Sequence, residues 1–127
     1  MMTCKGACHC GRVRFQIRTE EPLGPYFRCD CSWCSRKGAV MGESAKDSLE
    51  LVAGAEDLSL YSWNTGEAQH YFCKVCGIYT HHVMRGATDR IGVNMACIEG
   101  VDVHALQDVV VGGGSRLSVV ASRPGAA

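Results

Sequence analysis

Most of the cysteines in this chain fall into three tight groups, and their spacing constrains the fold more than any other feature of the sequence. The groups are a C-x-C pair, a C-x-C-x-x-C triplet and a C-x-x-C pair followed by glycine: Cys8 and Cys10; Cys29, Cys31 and Cys34; Cys73 and Cys76. Closely spaced thiolates suit tetrahedral zinc, with Zn–S bonds of about 2.3 Å. The N-terminal sequence shows no signal peptide, so we expect reduced thiols rather than disulfides. The spacing therefore predicts a small domain held together by metal.

The seven grouped sulfurs divide most simply into four and three. The two separated pairs can complete a closed four-sulfur zinc site of the structural type, joining the N-terminal segment to the later C-x-x-C turn. The triplet can then hold a second zinc ion with one coordination position left over. Because an open position distinguishes catalytic from structural zinc, the triplet predicts chemistry on a bound small molecule.

Two other interpretations of the cysteines remain open at this point. The two pairs can be ordinary buried cysteines, and the triplet can be a second structural zinc site with a fourth ligand from elsewhere. The residues available for that fourth position are His9, His70, His81, His82, Cys4 and Cys97. Cys97 alternates with Met95 and is expected to be a small core residue. His81 and His82 should face opposite sides of a strand, one near the triplet and the other at the surface.

Short alternating segments indicate a mainly β fold of small antiparallel sheets with little helix. In the segment 12–18, RVRFQIR, the side chains of Val13, Phe15 and Ile17 lie on one face, and charged or polar side chains lie on the other. Further strands are predicted over residues 38–42, 49–53, 57–63, 69–73, 78–84 and 91–96. One short helix is predicted over 101–108, with Asp102 as its N-cap.

The composition is typical of one globular domain over residues 1–127. The chain is 46% hydrophobic, and its 13 basic and 13 acidic side chains give a formal charge of zero. This balance gives no electrostatic reason to expect nucleic acid or an anionic membrane as a partner. The longest aliphatic run, 109–111, is far shorter than the roughly 20 residues that span a bilayer, so we expect a cytoplasmic protein. The tail, 112–127, is expected to be flexible, and the oligomeric state is left open.

Three motifs together resemble the glutathione-dependent formaldehyde-activating enzyme family. They are GACHCGRVRFQI at 6–17, RCDCSWCSRKGAV at 28–40 and HYFCKVCGIYTHH at 70–82, and the resemblance covers about residues 6–100. It implies a β-tent fold with two zinc ions. The structural zinc falls on the two cysteine pairs and the catalytic-type zinc on the triplet, where water or a substrate sulfur takes the fourth position.

The activity implied by this resemblance is the joining of formaldehyde to glutathione to give S-hydroxymethylglutathione, and the reverse carbon–sulfur cleavage. Zinc would favour the thiolate of glutathione, since an unperturbed thiol has a pKa of about 8.5, and holding both reactants at one centre adds proximity. Arg36 and Lys37 are candidates for binding a glutathione carboxylate. The sequence identifies no general base. Trp33 and Trp63 either line a pocket or fill the core, and core or surface packing is favoured for Trp63.

Two alternatives of other classes share the same zinc scaffold. One is a binding module without turnover. The other is a thiol or metal sensor, in which the triplet releases zinc when its sulfurs are oxidised.

Overall fold

The computed structural model describes residues 1–63 and 66–112, in which ten strands form two sheets beside one short α-helix. The strands are β1 (Met2–Ala7), β2 (Arg14–Thr19), β3 (Phe27–Arg28), β4 (Met41–Ala45), β5 (Leu49–Ala53), β6 (Leu58–Tyr61), β7 (Gln69–Cys73), β8 (Tyr79–Met84), β9 (Ala87–Asn94) and β10 (Val110–Val111). The helix, α1, spans Ser32–Lys37. Single 3-10 turns lie at Lys46–Ser48, Ala55–Asp57, Met95–Cys97 and Val103–Ala105. The strand orders are β1-β2-β5 in the smaller sheet and β10-β3-β4-β9-β8-β7-β6 in the larger.

The apolar core lies between the two sheets. Phe15 and Ile17 on β2 are 1% and 0% exposed, as the alternating pattern predicts. They pack against Ile91 and Val93 of β9 in the larger sheet, together with Leu23, Met95 and Ile98. Full burial of such a side chain is worth about 1.5–3 kcal/mol, so this contact fixes how the sheets face each other.

Two hairpin turns carry the separated cysteine pairs. β1 and β2 pair antiparallel from Met2 opposite Thr19 to Ala7 opposite Arg14, and the first pair lies in the connection between them. β7 and β8 pair antiparallel, and the second pair lies at their connection. A small cluster of Cys8, Val13 and Cys73 joins the two turns. Pairing within each hairpin therefore brings cysteines that are distant along the chain to one place.

Most of the predicted strands are present, with shifted ends. The strands at 49–53, 57–63, 69–73 and 78–84 correspond closely to β5, β6, β7 and β8. The predicted 38–42 strand begins only at Met41, and the strand predicted at 91–96 runs from Ala87 to Asn94. The sequence interpretation missed β1, where Cys4 is half-buried against the core.

Two further expectations differ from the structure. The pairing is antiparallel except that β10 lies parallel to β3. The helix predicted over 101–108 is a single 3-10 turn, Val103–Ala105, although Asp102 caps it by accepting the His104 N–H at 3.0 Å. No helix in the described part of the chain is long and apolar enough to cross a membrane. Residues 113–127 of the tail expected to be flexible lie outside the described residues.

Candidate metal centres and the adjoining cavity

The two cysteine pairs meet in one four-sulfur group. The Sγ atoms of its four residues, Cys8, Cys10, Cys73 and Cys76, all lie within 4.8 Å of one another. The Sγ–Sγ distances are 3.6 Å from Cys8 to Cys10 and 3.8 Å from Cys10 to Cys73. A tetrahedron with Zn–S bonds of about 2.3 Å has edges of about 3.8 Å, so this donor set fits a zinc ion.

Backbone N–H groups point at these sulfurs because glycines turn the chain around them. Gly11 and Gly77 both have φ of 79°, a conformation that glycine adopts without strain. The N–H of Val13 lies 3.4 Å from the Cys8 Sγ. Burial opposes ionisation of Cys76, but hydrogen bonds, mainly from the backbone of Cys10 and Ile78, lower its pKa to about 6. Cys76 thus favours the thiolate, the form that binds metal.

The triplet forms a second, separate group at the start of α1. The Sγ atoms of Cys29, Cys31 and Cys34 also lie within 4.8 Å of one another. Cys31 is the N-cap of the helix, and its Sγ accepts the N–H of Cys34 at 3.3 Å. The helix ends at Gly38, whose φ of 68° is left-handed. The segment between β3 and the first turn of α1 therefore supplies all three sulfurs, without a ligand from distant parts of the chain.

Among the described residues, no fourth protein ligand joins the triplet. The six residues considered for that position, namely His9, His70, His81, His82, Cys4 and Cys97, all belong to the described part of the chain, and none lies in either sulfur group. The structure therefore gives no support to a second closed site. A metal ion held here would have three protein sulfurs, which leaves room for a sulfur or oxygen from another molecule.

Two thiols of the triplet, Cys29 and Cys34, ionise differently. A hydrogen bond from Cys34 lowers the pKa of Cys29 to about 5, and the same hydrogen bond raises the pKa of Cys34. Cys31 and Cys34 are only 4% and 6% exposed, whereas Cys29 is half-buried. The more exposed sulfur of Cys29 is thus converted to thiolate more easily than that of Cys34.

Arg36 and Lys37, the candidates for binding a carboxylate, point in different directions. Arg36 is exposed, and its Nη1 donates to the carbonyl of Ser32 at 2.6 Å. The Nζ of Lys37 lies 3.6 Å from the centroid of the Tyr79 ring and 4.5 Å from that of Trp33. Burial lowers the pKa of Lys37, and the thiols of the triplet oppose this. Lys37 therefore places a positive charge against aromatic rings and beside the three sulfurs.

A cavity of about 310 Å³ opens beside the triplet and is lined by all three of its cysteines. Its apolar wall includes Phe27, Met41, Trp63 and Met84. Its polar side chains are Glu43, His70, His82 and Arg85. Of the two placements considered for Trp63, the structure has the less favoured one, because Trp63 forms part of this wall. The sulfurs and the cavity together make a site for a small molecule.

Two buried histidines in the cavity were missed as site residues. His70 is 3% exposed, its ring centroid lies 4.0 Å from that of Trp33, and its Nδ1 has no hydrogen-bond partner among the described residues. The Nδ1 of His82 lies 2.6 Å from the Tyr79 hydroxyl. Burial, and secondarily Lys37, lowers the pKa of His70 to about 4 and that of His82 to about 3, so both rings are neutral at pH 7. Register in the β7–β8 hairpin, where His70 faces His82, is the signal that identifies this pair.

Room for the His82 ring comes from Gly92 on the neighbouring strand. Gly92 lies directly opposite His82 in the β8–β9 pairing. A Cβ atom built at position 92 would overlap the Cε1 of the imidazole. The absence of a side chain at position 92 of β9 therefore leaves room for the His82 ring in the cavity wall.

His81, the sequence neighbour of His82, lies on the opposite face of β8 but is not at the surface. It is 7% exposed, stacks on Tyr71 at 4.8 Å and contacts Phe15 of the smaller sheet at 6.2 Å between ring centroids. The expectation of a surface position was wrong because β8 is an interior strand with both faces covered. Cys97, by contrast, packs against the core as expected.

Two compact thiol groups on a mainly β scaffold, one closed and one facing a cavity, define a small cysteine-rich protein able to hold metal ions beside a small-molecule site. Residues 3–109 match the family model described as glutathione-dependent formaldehyde-activating enzyme. The chain belongs to this family, as its three motifs indicated.

Individual relatives agree with this assignment. A protein of Halomonas elongata, provisionally named as a glutathione-dependent formaldehyde-activating enzyme, is 34% identical over 83 residues, which are 59% of this chain and 52% of the relative. The chain thus spans about half the length of this curated relative. A crystal structure of a Rhodobacter sphaeroides protein superposes with a TM-score of 0.81 at 43% identity, covering 84% of this chain and 98% of the other.

Proposed function

We propose that this protein is a carbon–sulfur lyase that joins a thiol to an aldehyde and cleaves the product, with glutathione and formaldehyde as the pair that the family name suggests. The observation that carries the proposal is a group of three sulfurs that opens on a cavity and lacks a fourth protein ligand in the described part of the chain. A closed four-ligand site would offer a substrate no such position.

In this proposal the protein holds two zinc ions. The four-sulfur group holds a structural ion, and Cys29, Cys31 and Cys34 hold the ion used in the reaction. When bound there, zinc supplies Lewis acidity, which favours the thiolate of a substrate thiol and polarises an aldehyde oxygen. Arg36 remains a candidate for binding a glutathione carboxylate at the exposed side of α1.

The chain's own side chains contribute charge and hydrogen bonding. Three cysteine thiolates and a substrate thiolate carry four negative charges, which exceed the two positive charges of zinc. The half-buried ammonium of Lys37 offsets part of this excess at short range. His70 lines the same cavity with an unpartnered Nδ1, and a hydroxyl on the product would satisfy it. An unsatisfied buried nitrogen costs about 1–3 kcal/mol, so such a hydrogen bond favours the bound adduct.

The reaction conserves atoms and electrons without an oxidant. The S–H bond of the thiol breaks and a C–S bond forms to the carbonyl carbon. The π electrons of the carbonyl move to oxygen, which takes up the proton and becomes a hydroxyl group. We assign the transfer of this proton to His70, the neutral imidazole in the cavity wall.

Exchange NMR with ¹³C-formaldehyde and glutathione tests this function on the zinc-loaded protein. Catalysis should raise the rate of interconversion between free aldehyde and adduct above the spontaneous rate, and C31S should restore the spontaneous rate. An unchanged rate with saturable glutathione binding would instead support the non-catalytic binding module. Zinc release on mild oxidation, also without catalysis, would support the sensor.

A further inference from the structure

The wall of the cavity beside the three sulfurs is largely apolar. Phe27, Met41, Trp63 and Met84 all contribute side chains to it. Two charged residues, Glu43 and Arg85, also line it. Glu43 is bound by Arg90, whose Nε donates to the Glu43 Oε1 at 2.9 Å. A molecule bound through its sulfur at the triplet would extend into this space, because all three cysteines line the cavity and Cys31 and Cys34 are otherwise buried.

The proposed substrates do not match such a wall. Formaldehyde contributes one carbon atom to the adduct, whereas a cavity of about 310 Å³ is within the range of roughly 300–1,000 Å³ that is typical of sites for much larger molecules. The rest of glutathione carries two carboxylates, an ammonium and two amides. Placing those groups against Phe27 and Met84 would leave them without hydrogen-bond partners, which is costly.

We propose that the aldehyde used by this protein is larger than formaldehyde and carries an apolar group, such as an aliphatic chain of about six carbons or a phenyl ring. In the adduct this group lies against Phe27, Met41, Trp63 and Met84, while the polar part of the thiol remains outside the apolar wall. The inference rests on the proposed function and specifies its substrate class. The bond changes are those of the simpler reaction: S–H breaks, C–S forms and the carbonyl becomes a hydroxyl group.

Binding of two stable thioethers tests the apolar wall without turnover. S-methylglutathione and S-hexylglutathione are titrated separately into the zinc-loaded protein by calorimetry. Each fully buried methylene strengthens binding about fourfold, so five additional methylenes, even if only half buried, give roughly 30-fold tighter binding of the hexyl compound. Affinities that agree within about twofold would overturn the inference. This comparison uses the unmodified protein and needs no variant to fold.

A matched pair of variants locates the effect. M84E places a carboxylate in the apolar wall and should reduce the preference for the hexyl compound to less than about threefold. V52E adds the same carboxylate to an exposed position on β5 of the other sheet and should leave the preference unchanged. A hexyl preference that survives M84E, in a protein with unchanged circular dichroism, would place the apolar group elsewhere and contradict the inference.

Turnover separates failure of this inference from failure of the proposed function. Rates of adduct formation with glutathione are measured for formaldehyde, hexanal and phenylacetaldehyde, each against its uncatalysed rate. A kcat/KM at least tenfold higher for the larger aldehydes supports both proposals. A higher value for formaldehyde overturns the inference and leaves the proposed function intact. No acceleration with any of the three would overturn the proposed function, and the inference with it.

Discussion

The two sulfur groups of this molecule use the same ligand in opposite ways. The four-sulfur group joins two hairpin turns, so that Cys10 and Cys73, 63 positions apart, have their sulfurs 3.8 Å apart. The triplet takes all of its sulfurs from one short segment, 29–34, which ends in the first turn of α1. A metal in the first group closes a long loop of chain, whereas a metal in the second closes almost none. The comparison indicates that sequence separation between ligands, and not ligand type, decides which site holds the fold together.

The largest effect is expected from C76S, which removes one sulfur from the four-sulfur group. Structural zinc sites in zinc-finger peptides contribute on the order of 10–16 kcal/mol, comparable to the whole stability of a domain. The variant should therefore lose its cooperative thermal transition, measured by circular dichroism, together with its zinc, measured by native mass spectrometry.

The matched control for C76S is C97S, because Cys97 is a half-buried thiol in neither group. Its Sγ lies 3.5 Å from the carbonyl of Tyr79, a hydrogen bond that serine can also donate. C97S should fold and keep two zinc ions. A cooperative melt of C76S equal to that of C97S would remove the distinction between a structural and an open site.

The second prediction is that C31S leaves a folded protein with one zinc ion and no catalysis. Serine is a strongly preferred N-cap, so α1 should persist when the hydroxyl of the introduced serine accepts the N–H of Cys34 in place of the Cys31 sulfur. The melting temperature should fall by only about 5–10 °C. Unfolding of C31S as severe as that of C76S would show that the triplet is also structural.

A smaller effect is expected from H70F, which keeps the stacking on Trp33 but removes both ring nitrogens. Zinc content should stay unchanged and kcat should fall on the order of 100-fold, the lower range for loss of a proton-transfer group. H104F, at an exposed position in the Val103–Ala105 turn, is the control and should retain full activity. If H70F loses zinc in proportion to activity, His70 supports the metal site rather than the reaction.

The smallest effect concerns pH and His81, which is buried away from both sulfur groups. Burial lowers its native-state pKa from 6.5 to about 4. Above pH 6.5 the ring is neutral in both states, but between about 6.5 and 4 only the unfolded chain binds the proton. As the pH is lowered through this window, protonation of His81 in the unfolded chain should therefore reduce the free energy of unfolding by about 1.4 kcal/mol per pH unit.

Urea unfolding of zinc-loaded wild type and H81Q measures that contribution as the difference between two pH profiles. The profile of H81Q should be flatter by this amount between pH 6.5 and 4, and the two should run parallel above pH 6.5. Profiles that are parallel throughout would mean that His81 takes up its proton in the folded protein.

The metal-binding pattern was readable from the sequence, while its surroundings were not. Cysteine spacing is local information, so the division of sulfurs into four and three followed from counting ligands, and the structure brings both sets together. Period-2 alternation likewise predicted the buried face of β2. The cavity was not predicted because its wall comes from β3, β4, β7 and β8 and the segment after β6, which only the sheet order assembles.

The histidines show the same limit. Alternation correctly separated the two faces of β8, but the exposure of each histidine depends on its tertiary contacts. Phe15 of the smaller sheet contacts His81, and His70 of the neighbouring strand β7 contacts His82. The short helix α1 was missed because six residues do not provide a helical repeat, and its start is marked by a cysteine rather than by a usual capping residue.

A substitution at Gly92 would change which molecules fit the cavity without changing any of the metal-binding cysteines. Even one methyl group at this position would force the imidazole of His82 to move, and because His82 lines the cavity, the space for a bound molecule would change. The size of the molecule that the cavity admits thus depends on a residue that does not itself line the cavity. A larger residue at position 92 should therefore favour smaller ligands, while both metal-binding groups keep their geometry.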